Sequence, residues 1–361
     1  MKIDLRILYL CDFDLKRKSG KDRATYQKLT ALSSRVNSLE VISCPFRNPI
    51  LRFLSVFLLD IKSFFYLLFM RPDVFISRGR CGFFTLMLAK LFNISSVREV
   101  HSNAVEESTL LPYKGLKLIL VKITSYISHK LDVWADVRIF NHPDLLCWYQ
   151  SHSLAKKYDF FVYNGFSPSS HSTLSKSDAR IRFNIPEEEK VLVFVGSASQ
   201  WHGVEYVVNL QEQFNLHGDN IKIYFGGGDI SAFDKFGFCT NFTPLDDKGC
   251  ADLIRAADFC LLPVKKNRIS PGSPLKLYDY IANERFVIAQ SESDGYSDEV
   301  ERHGVGFSVN FLCPEEARIK IIEELSKEWP SVFPTCKVTW SDRMEEWIDG
   351  ISKHLQSKGV F

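Results

Sequence analysis

The chain has 361 residues, 45% hydrophobic and 24% charged, which suits a globular protein of two domains. Its nine cysteines are odd in number and lack a CxxC pair, which excludes a zinc ribbon or a secreted disulfide scaffold and favours a reducing compartment. The net charge of +2 is unevenly placed: residues 1–165 hold 24 Lys and Arg against 14 Asp and Glu, and the remainder holds 21 against 29. A basic first half suits an anionic partner, either phospholipid headgroups or a phosphorylated acceptor; the alternative is a merely solvated basic surface.

The opening MKIDLRILYL is too short in its apolar run for a signal peptide and leads directly into a strand over Arg6–Cys11. A polar loop with Ser19-Gly20 follows, then a helix over Arg23–Ser33. Strand, glycine-bearing loop and helix open a nucleotide-binding type of α/β domain. Asp12-Phe-Asp14 follows a first strand, where a metal-holding DxD is not expected. Leu39–Ser43 reads as the second strand. Ile50–Met70 is the most apolar segment, and Arg52, Asp60 and Lys62 interrupt it, so it is not expected to span a membrane. A buried core helix is the default for it, and a helix lying on a membrane surface the alternative.

Val74–Ser77 is a strand ending at Arg78-Gly79-Arg80, and Val97–Val100 a strand ending at His101. Ligands of open α/β sheets bind outside the carboxyl ends of strands, so Arg78 and His101 both become candidates. Helices are predicted over 83–92, 116–130 and 143–151, and strands over 135–141 and 160–163, before the turn pair Asn164-Gly165. Ser167–Lys176 reads as a polar connector.

The alternation then restarts. Val191–Val195 is a strand, Gly196–Gly203 a glycine-bounded loop and Val204–Phe214 a helix. Ile221–Phe225 is a strand before Gly226-Gly-Gly-Asp229. A helix over 247–256 and a strand over 259–263 lead to Ser270–Ala289, SPGSPLKLYDYIANERFVIA, which reads as loop, short helix, turn and strand. Here Ser273 is expected to cap the helix, Pro274 to take its first position and Asn283 a left-handed end. Leu275, Leu277, Tyr278 and Ile281 form the apolar face. A helix N-terminus beside Lys276 favours a phosphate, and Asp279, three residues on, suits a ribose diol. The plainer alternative is a surface helix with an internal Lys–Asp pair. A strand over 304–309 and helices over 314–329 and 340–355 close the chain.

Taken in order, RPDVFISRGR, VREVHS, VYNGF, VFVGSASQWHGVEYVV, IYFGGGD, LIRAADFCLLPV, SPLKLYDYIANERFVIA and TWSDRMEEWIDGI resemble the family-four (group 1) glycosyltransferases over nearly the whole chain. The resemblance implies the GT-B architecture: two Rossmann-like α/β domains facing a central cleft, residues 1–165 and 166–339, with a C-terminal helix of about 340–361 crossing back to the first. It implies a retaining, metal-independent hexosyl transfer from a nucleotide-sugar, UDP- or GDP-linked, to a glycan or lipid-linked acceptor in cell-surface polysaccharide or glycolipid biosynthesis. No cofactor, bound metal or nucleic-acid partner is expected. A cytoplasmic protein is expected, with peripheral contact to the anionic inner face of the membrane.

By the same resemblance Lys276 and the amides of Leu275, Lys276 and Leu277 neutralise the donor diphosphate, Asp279 holds the ribose, and amides around Gly272-Ser273 take over contacts to the donor sugar. His101 contacts the donor sugar, Gly20 with Ser19 approaches the diphosphate and acceptor, and Gly227 and Gly228 lie near the nucleobase. Arg78 is assigned to the acceptor or phosphate side. Two departures stand out. Asp279 replaces the usual Glu, and Pro271 takes the place of the partner acid. In the glycine loop Gly196–Gly203, Ser197 and His202 stand where many relatives carry Arg and Lys, which moves phosphate neutralisation to Lys276 and to Arg268 or Lys265. A sugar-nucleotide epimerase of the same fold and a non-catalytic nucleotide-binding relative are the alternatives.

Overall fold

The computed structural model describes residues 2–16, 20–44, 46, 49–110, 113–152, 154–196, 202–227, 240–242, 244–265, 272–292, 296–330, 332–334 and 338–359. The chain divides into two compact units, one built on Met1–Gly165 and Trp340–Phe361, the other on Phe166–Arg268 and Ser273–Thr339.

The first unit runs β1 (Ile3–Cys11), α1 (Gly20–Ser33), β2 (Val36–Ser43), α2 (Pro49–Met70), β3 (Val74–Arg78), α3 (Phe83–Leu91), β4 (Ser95–Val100), α4 (Ala104–Leu110), α5 (Gly115–Trp134), β5 (Val137–Phe140), α6 (Pro143–Ser151) and β6 (Phe160–Phe161). Its sheet has the order β2-β1-β3-β4-β5-β6, with every neighbouring pair parallel. β3, β4 and β5 are buried throughout, as expected of parallel strands covered on both faces. The order reverses between β1 and β3, where Cys11 lies opposite Arg78.

The second unit runs α7 (Lys176–Arg182), β7 (Lys190–Gly196), α8 (Val204–His217), β8 (Ile221–Gly227), β9 (Thr240–Phe242), α9 (Asp247–Ala256), β10 (Phe259–Leu262), α10 (Leu275–Ala282), β11 (Phe286–Gln290), α11 (Ser297–His303), β12 (Gly306–Val309) and α12 (Pro314–Leu325). Its parallel sheet has the order β12-β11-β10-β7-β8-β9, the doubly wound arrangement, and reverses between β7 and β10. The core joins Leu192, Phe194, Val207, Phe214, Ile223, Phe259 and Ile288. Trp329, expected inside a helix over 314–329, lies beyond the end of α12 and packs on Phe286 at 4.6 Å and Phe259 at 5.0 Å.

The last helix, α13 (Trp340–Ser357), belongs to the first unit. Trp340, Met344, Trp347, Ile348, Ile351 and Leu355 recur every three or four residues and are buried. Arg343 Nε donates to the carbonyl of Asn164 at 3.0 Å, and Lys28 of α1 lies 4.7 Å from the Trp347 ring.

Three expectations need correction. Ile50–Met70 is helical but not a core helix: Leu59 and Leu67 are buried, whereas Phe57 and Phe69 are 62% and 76% exposed. The segment 167–176 is more than a connector, because Ser172 is buried and its N–H donates to Asn283 Oδ1 at 2.8 Å, tying it to the end of α10. Asn283 itself has φ −101°, and the left-handed residue is Glu284, φ 54°. The Asn283 amide instead caps with its side chain, donating to the Asp279 carbonyl at 2.8 Å.

Tyr280 places α10. It is fully buried, and its hydroxyl accepts from the Val195 N–H of β7 at 3.2 Å and donates to the Leu261 carbonyl of β10 at 3.1 Å. It therefore bridges the two strands at the reversal of strand order. Tyr280→Phe leaves both backbone groups without that partner and is expected to destabilise the chain by about 1–3 kcal/mol. Thermal melting checks this; an unchanged melting temperature contradicts the bridging role.

Candidate functional site

In the second unit the carboxyl ends of β7 and β8 and the start of α10 converge. Gly196 has φ 142°, a conformation that side chains rarely adopt, and a Cβ built on it would lie 2.3 Å from Lys276 Cε. The Lys276 stem thus crosses directly over the Gly196 α-carbon, and its ammonium lies 4.5 Å from the Phe194 ring centre. Gly227 (φ 102°) abuts the same point: a Cβ there would lie 3.1 Å from the Gly196 nitrogen. Gly203 (φ 56°) starts α8, and the His202 ring stands 6.3 Å from that of Phe194. Lys276, Gly196, Gly227, His202 and Gly203 thus gather at the reversal point, where ligands of doubly wound sheets bind.

Other candidates divide. Asp279 is half-buried on α10, one turn from Lys276. Pro274, not Ser273, is the residue preceding the helix, and Ser273 Oγ donates to Glu299 Oε1 at 2.9 Å. The Leu277 N–H donates to the Pro274 carbonyl at 3.1 Å, so that amide closes the first turn; Leu275 is half-buried beside it. Lys265 pairs with Glu205 of α8 at 2.5 Å. Ser19, Ser197, Gly228, Arg268 and Pro271 lie outside the described residues.

In the first unit the strand ends carry a charged cluster centred on Glu99 of β4. Its side chain is 3% exposed; the carboxylate accepts from Tyr9 OH at 2.6 Å, from Lys28 Nζ and from His101 Nε2, and is ion-paired with Arg78 NH1 at 3.1 Å. The other imidazole nitrogen, Nδ1, faces the Asn141 amide at 3.3 Å. Arg78 NH1 also donates to Thr25 Oγ1 at 2.8 Å. Burial works against the Glu99 charge, but Arg78 and Lys28 outweigh it and hold the carboxyl well below its usual range. Burial and then Arg78 push His101 down to about 3, so its imidazole is neutral at physiological pH. Burial lowers Lys28 to about 8 despite the Glu99 charge. The cluster joins Arg78 and His101, as their strand-end positions suggest.

Glu99, Lys28 and Tyr9 were not singled out from the sequence. The available signal was VREV, two charged residues inside a strand buried on both faces, which need partners. Gly20 begins α1 and is exposed, with open space around a built Cβ. Asp14 Oδ1 accepts from the Lys16 N–H at 2.9 Å and closes a turn, and Asp12 lies against Gly79, whose built Cβ would be 2.2 Å from Asp12 Oδ1.

No family model and no curated protein matches the chain. Solved structures do. Sucrose-phosphate synthase from Thermosynechococcus elongatus matches with a TM-score of 0.71 at 14% identity, over 99% of this chain and 99% of that one. HepE of Anabaena in complex with UDP matches with a TM-score of 0.65 at 14% identity, over 98% and 100%. UDP-GlcNAc 2-epimerase of Methanocaldococcus jannaschii in complex with UDP-GlcNAc and UDP matches less closely, with a TM-score of 0.56 at 11% identity, over 98% and 100%. The fold is therefore GT-B, two Rossmann-like α/β domains with the closing helix on the first.

Two outcomes follow from the site. Gly196→Ala puts a methyl where the Lys276 stem lies, at a φ of 142° that side chains rarely adopt. It is expected to weaken nucleoside diphosphate binding in the same direction as Lys276→Ala, read by titration calorimetry; unchanged binding contradicts the crossing. For His101, whose folded pKa is depressed, stability is fully present above about pH 6.5 and is lost as pH falls towards 3. His101→Asn should flatten the melting temperature between about pH 6.5 and 4.5 while the steeper loss below pH 4.5, from Glu99, persists.

Proposed function

We propose that this chain is a retaining, metal-independent glycosyltransferase. It moves a sugar from a nucleotide-diphosphate-sugar, UDP- or GDP-linked, to a glycan or lipid-linked acceptor. The observation that carries the reading is the Lys276 side chain laid over Gly196 at the reversal point of the second sheet. The HepE match, in complex with UDP, agrees with a nucleotide ligand. We place the enzyme at the cytoplasmic face of a membrane, in cell-surface polysaccharide or glycolipid synthesis.

The chemistry follows from charge. Cleaving the bond between sugar and diphosphate builds negative charge on the leaving group and positive charge on the sugar. A fixed ammonium at the diphosphate stabilises that transition state without reorganising. Lys276 takes this role, and Asp279 accepts hydrogen bonds from the ribose. A leaving-phosphate oxygen takes the acceptor's proton on the same face, so the reaction needs no separate protein base and tolerates Pro271 in place of an acid. His101 acts as a neutral hydrogen-bonding group to the sugar, through the Nδ1 edge that Asn141 now occupies.

A thermal-shift series with UDP, GDP, dTDP, CMP and ADP tests the reading. At about 100 times the dissociation constant a ligand adds about 2.7 kcal/mol of stability, a visible shift. One nucleotide is expected to stand out, and Lys276→Ala to remove its shift and to lower kcat by about 10²–10³. No shift with any nucleotide contradicts the proposal. The epimerase reading shares the fold, and is separated by acceptor dependence: a transferase releases free nucleotide in step with transfer to acceptor, an epimerase interconverts its sugar nucleotide without one.

A further inference from the structure

We propose that α2, α3 and α5 of the first unit form a face that docks on an anionic lipid bilayer. This rests on the membrane-face transferase reading and assigns the surface that makes the contact.

α5 is amphipathic the wrong way round for a protein surrounded only by water, and α2 and α3 carry apolar side chains on their outer as well as their inner sides. On α5 the buried residues are Ser125, Ser128, Leu131 and Asp132, while Leu116, Ile119, Leu120, Ile123, Tyr126 and Ile127 are exposed. The inward polar groups have partners: Ser128 donates to the Gly79 carbonyl at 3.0 Å, and Asp132 accepts from Arg98 Nε at 2.9 Å. On α2, Ser55, Asp60 and Ser63 are buried, and Asp60 accepts from the N–H groups of Phe84 and Thr85 at 2.9 and 3.0 Å. Its outer side shows Phe57, Leu58, Ile61, Phe65, Phe69 and Met70, and α3 adds Phe84, Met87 and Leu91.

The outer sides of α2 and α3 are continuous, and they reach the C-terminal end of α5. Phe57 of α2 meets Phe84 of α3 at 5.6 Å, Phe84 meets Phe83 at 5.4 Å, and Phe83 meets Trp134 of α5 at 5.6 Å. So broad an apolar surface marks an interaction site.

Charge selects the occupant. Among the described side chains of the three helices every exposed charged group is a lysine: Lys62, Lys90, Lys117 and Lys122, with Lys130 half-buried. The two carboxylates, Asp60 and Asp132, are turned inward. A second copy of the chain would set lysines against lysines. An anionic bilayer accepts both parts of the face: apolar and aromatic side chains enter the headgroup boundary, while lysines reach the lipid phosphates. Among the described residues no helix is long and apolar enough to cross a membrane, so the contact is interfacial.

The test is co-sedimentation of the full chain with vesicles of phosphatidylcholine alone or with about a third phosphatidylglycerol. Binding is expected to the anionic vesicles and to weaken with salt. Lys117→Glu with Lys122→Glu should weaken it at least about thirtyfold, from about fivefold per lysine near an anionic surface. Phe65→Ser with Phe69→Ser should weaken it as well. All four side chains point outward, and an unchanged melting temperature confirms the fold of both variants. Negligible binding to both vesicles overturns the proposal, as does binding that survives both variants. A lipid-free dimer dissolved by Phe65→Ser with Phe69→Ser also overturns it, in favour of a second copy. A nucleotide-induced shift without vesicle binding defeats only the docking face; vesicle binding without any nucleotide shift defeats only the transferase reading.

Discussion

The second unit depends on one close approach. At Gly196 the last residue of β7 has no side chain, and the Lys276 stem lies where a Cβ would be. That places an ammonium at the reversal of the doubly wound sheet, beside Gly227 and over Phe194. Tyr280, one turn further along α10, holds the helix there by bridging β7 and β10. A backbone without side chains, a fixed cation and a helix start are the means by which a protein meets a diphosphate closely, and each follows from the packing around Gly196.

The first unit solves a different problem. There Lys28 of α1 and Arg78 at the end of β3 meet a single carboxylate, Glu99 of β4, all in a buried setting. Burial, and after it the positive charge of Arg78, keeps His101 neutral despite the Glu99 carboxylate beside it. This is a physical reason for His101 to serve as a hydrogen-bonding group rather than as a charge. The anchoring of α5 follows similar logic. Buried Arg98 binds buried Asp132 and donates to the Gly79 carbonyl at 2.6 Å, so the polar side of that helix faces inward and its apolar side outward.

Much of this was readable in the residues. Strand order aside, the alternation of apolar runs with glycine-bearing loops gives two α/β units and places Gly196, Gly227, Lys276, Arg78 and His101 at strand or helix ends. Less legible was anything set by which side of a helix meets its sheet. Phe57 and Leu59 are equally apolar in sequence, yet Leu59 lies in the inward stripe of Ser55, Leu59, Ser63 and Leu67, and Phe57 falls outside it and is exposed. Local competition was equally hidden: Asn283 favours a left-handed turn, but its side chain has better use joining Ser172 and Asp279, so Glu284 takes the turn. Glu99 is not legible in the sequence because, His101 apart, its partners Tyr9, Lys28 and Arg78 lie far off and meet it only in the folded unit.

The central claim is that Lys276 over Gly196 reads a nucleoside diphosphate through its phosphates. Titration calorimetry comparing UDP and GDP with uridine and guanosine tests it most directly. The account predicts that one diphosphate binds at least about tenfold more tightly than its nucleoside, since a hydrogen bond to a charged group contributes about 1.5–3 kcal/mol. A nucleoside that binds as tightly as its diphosphate would contradict it.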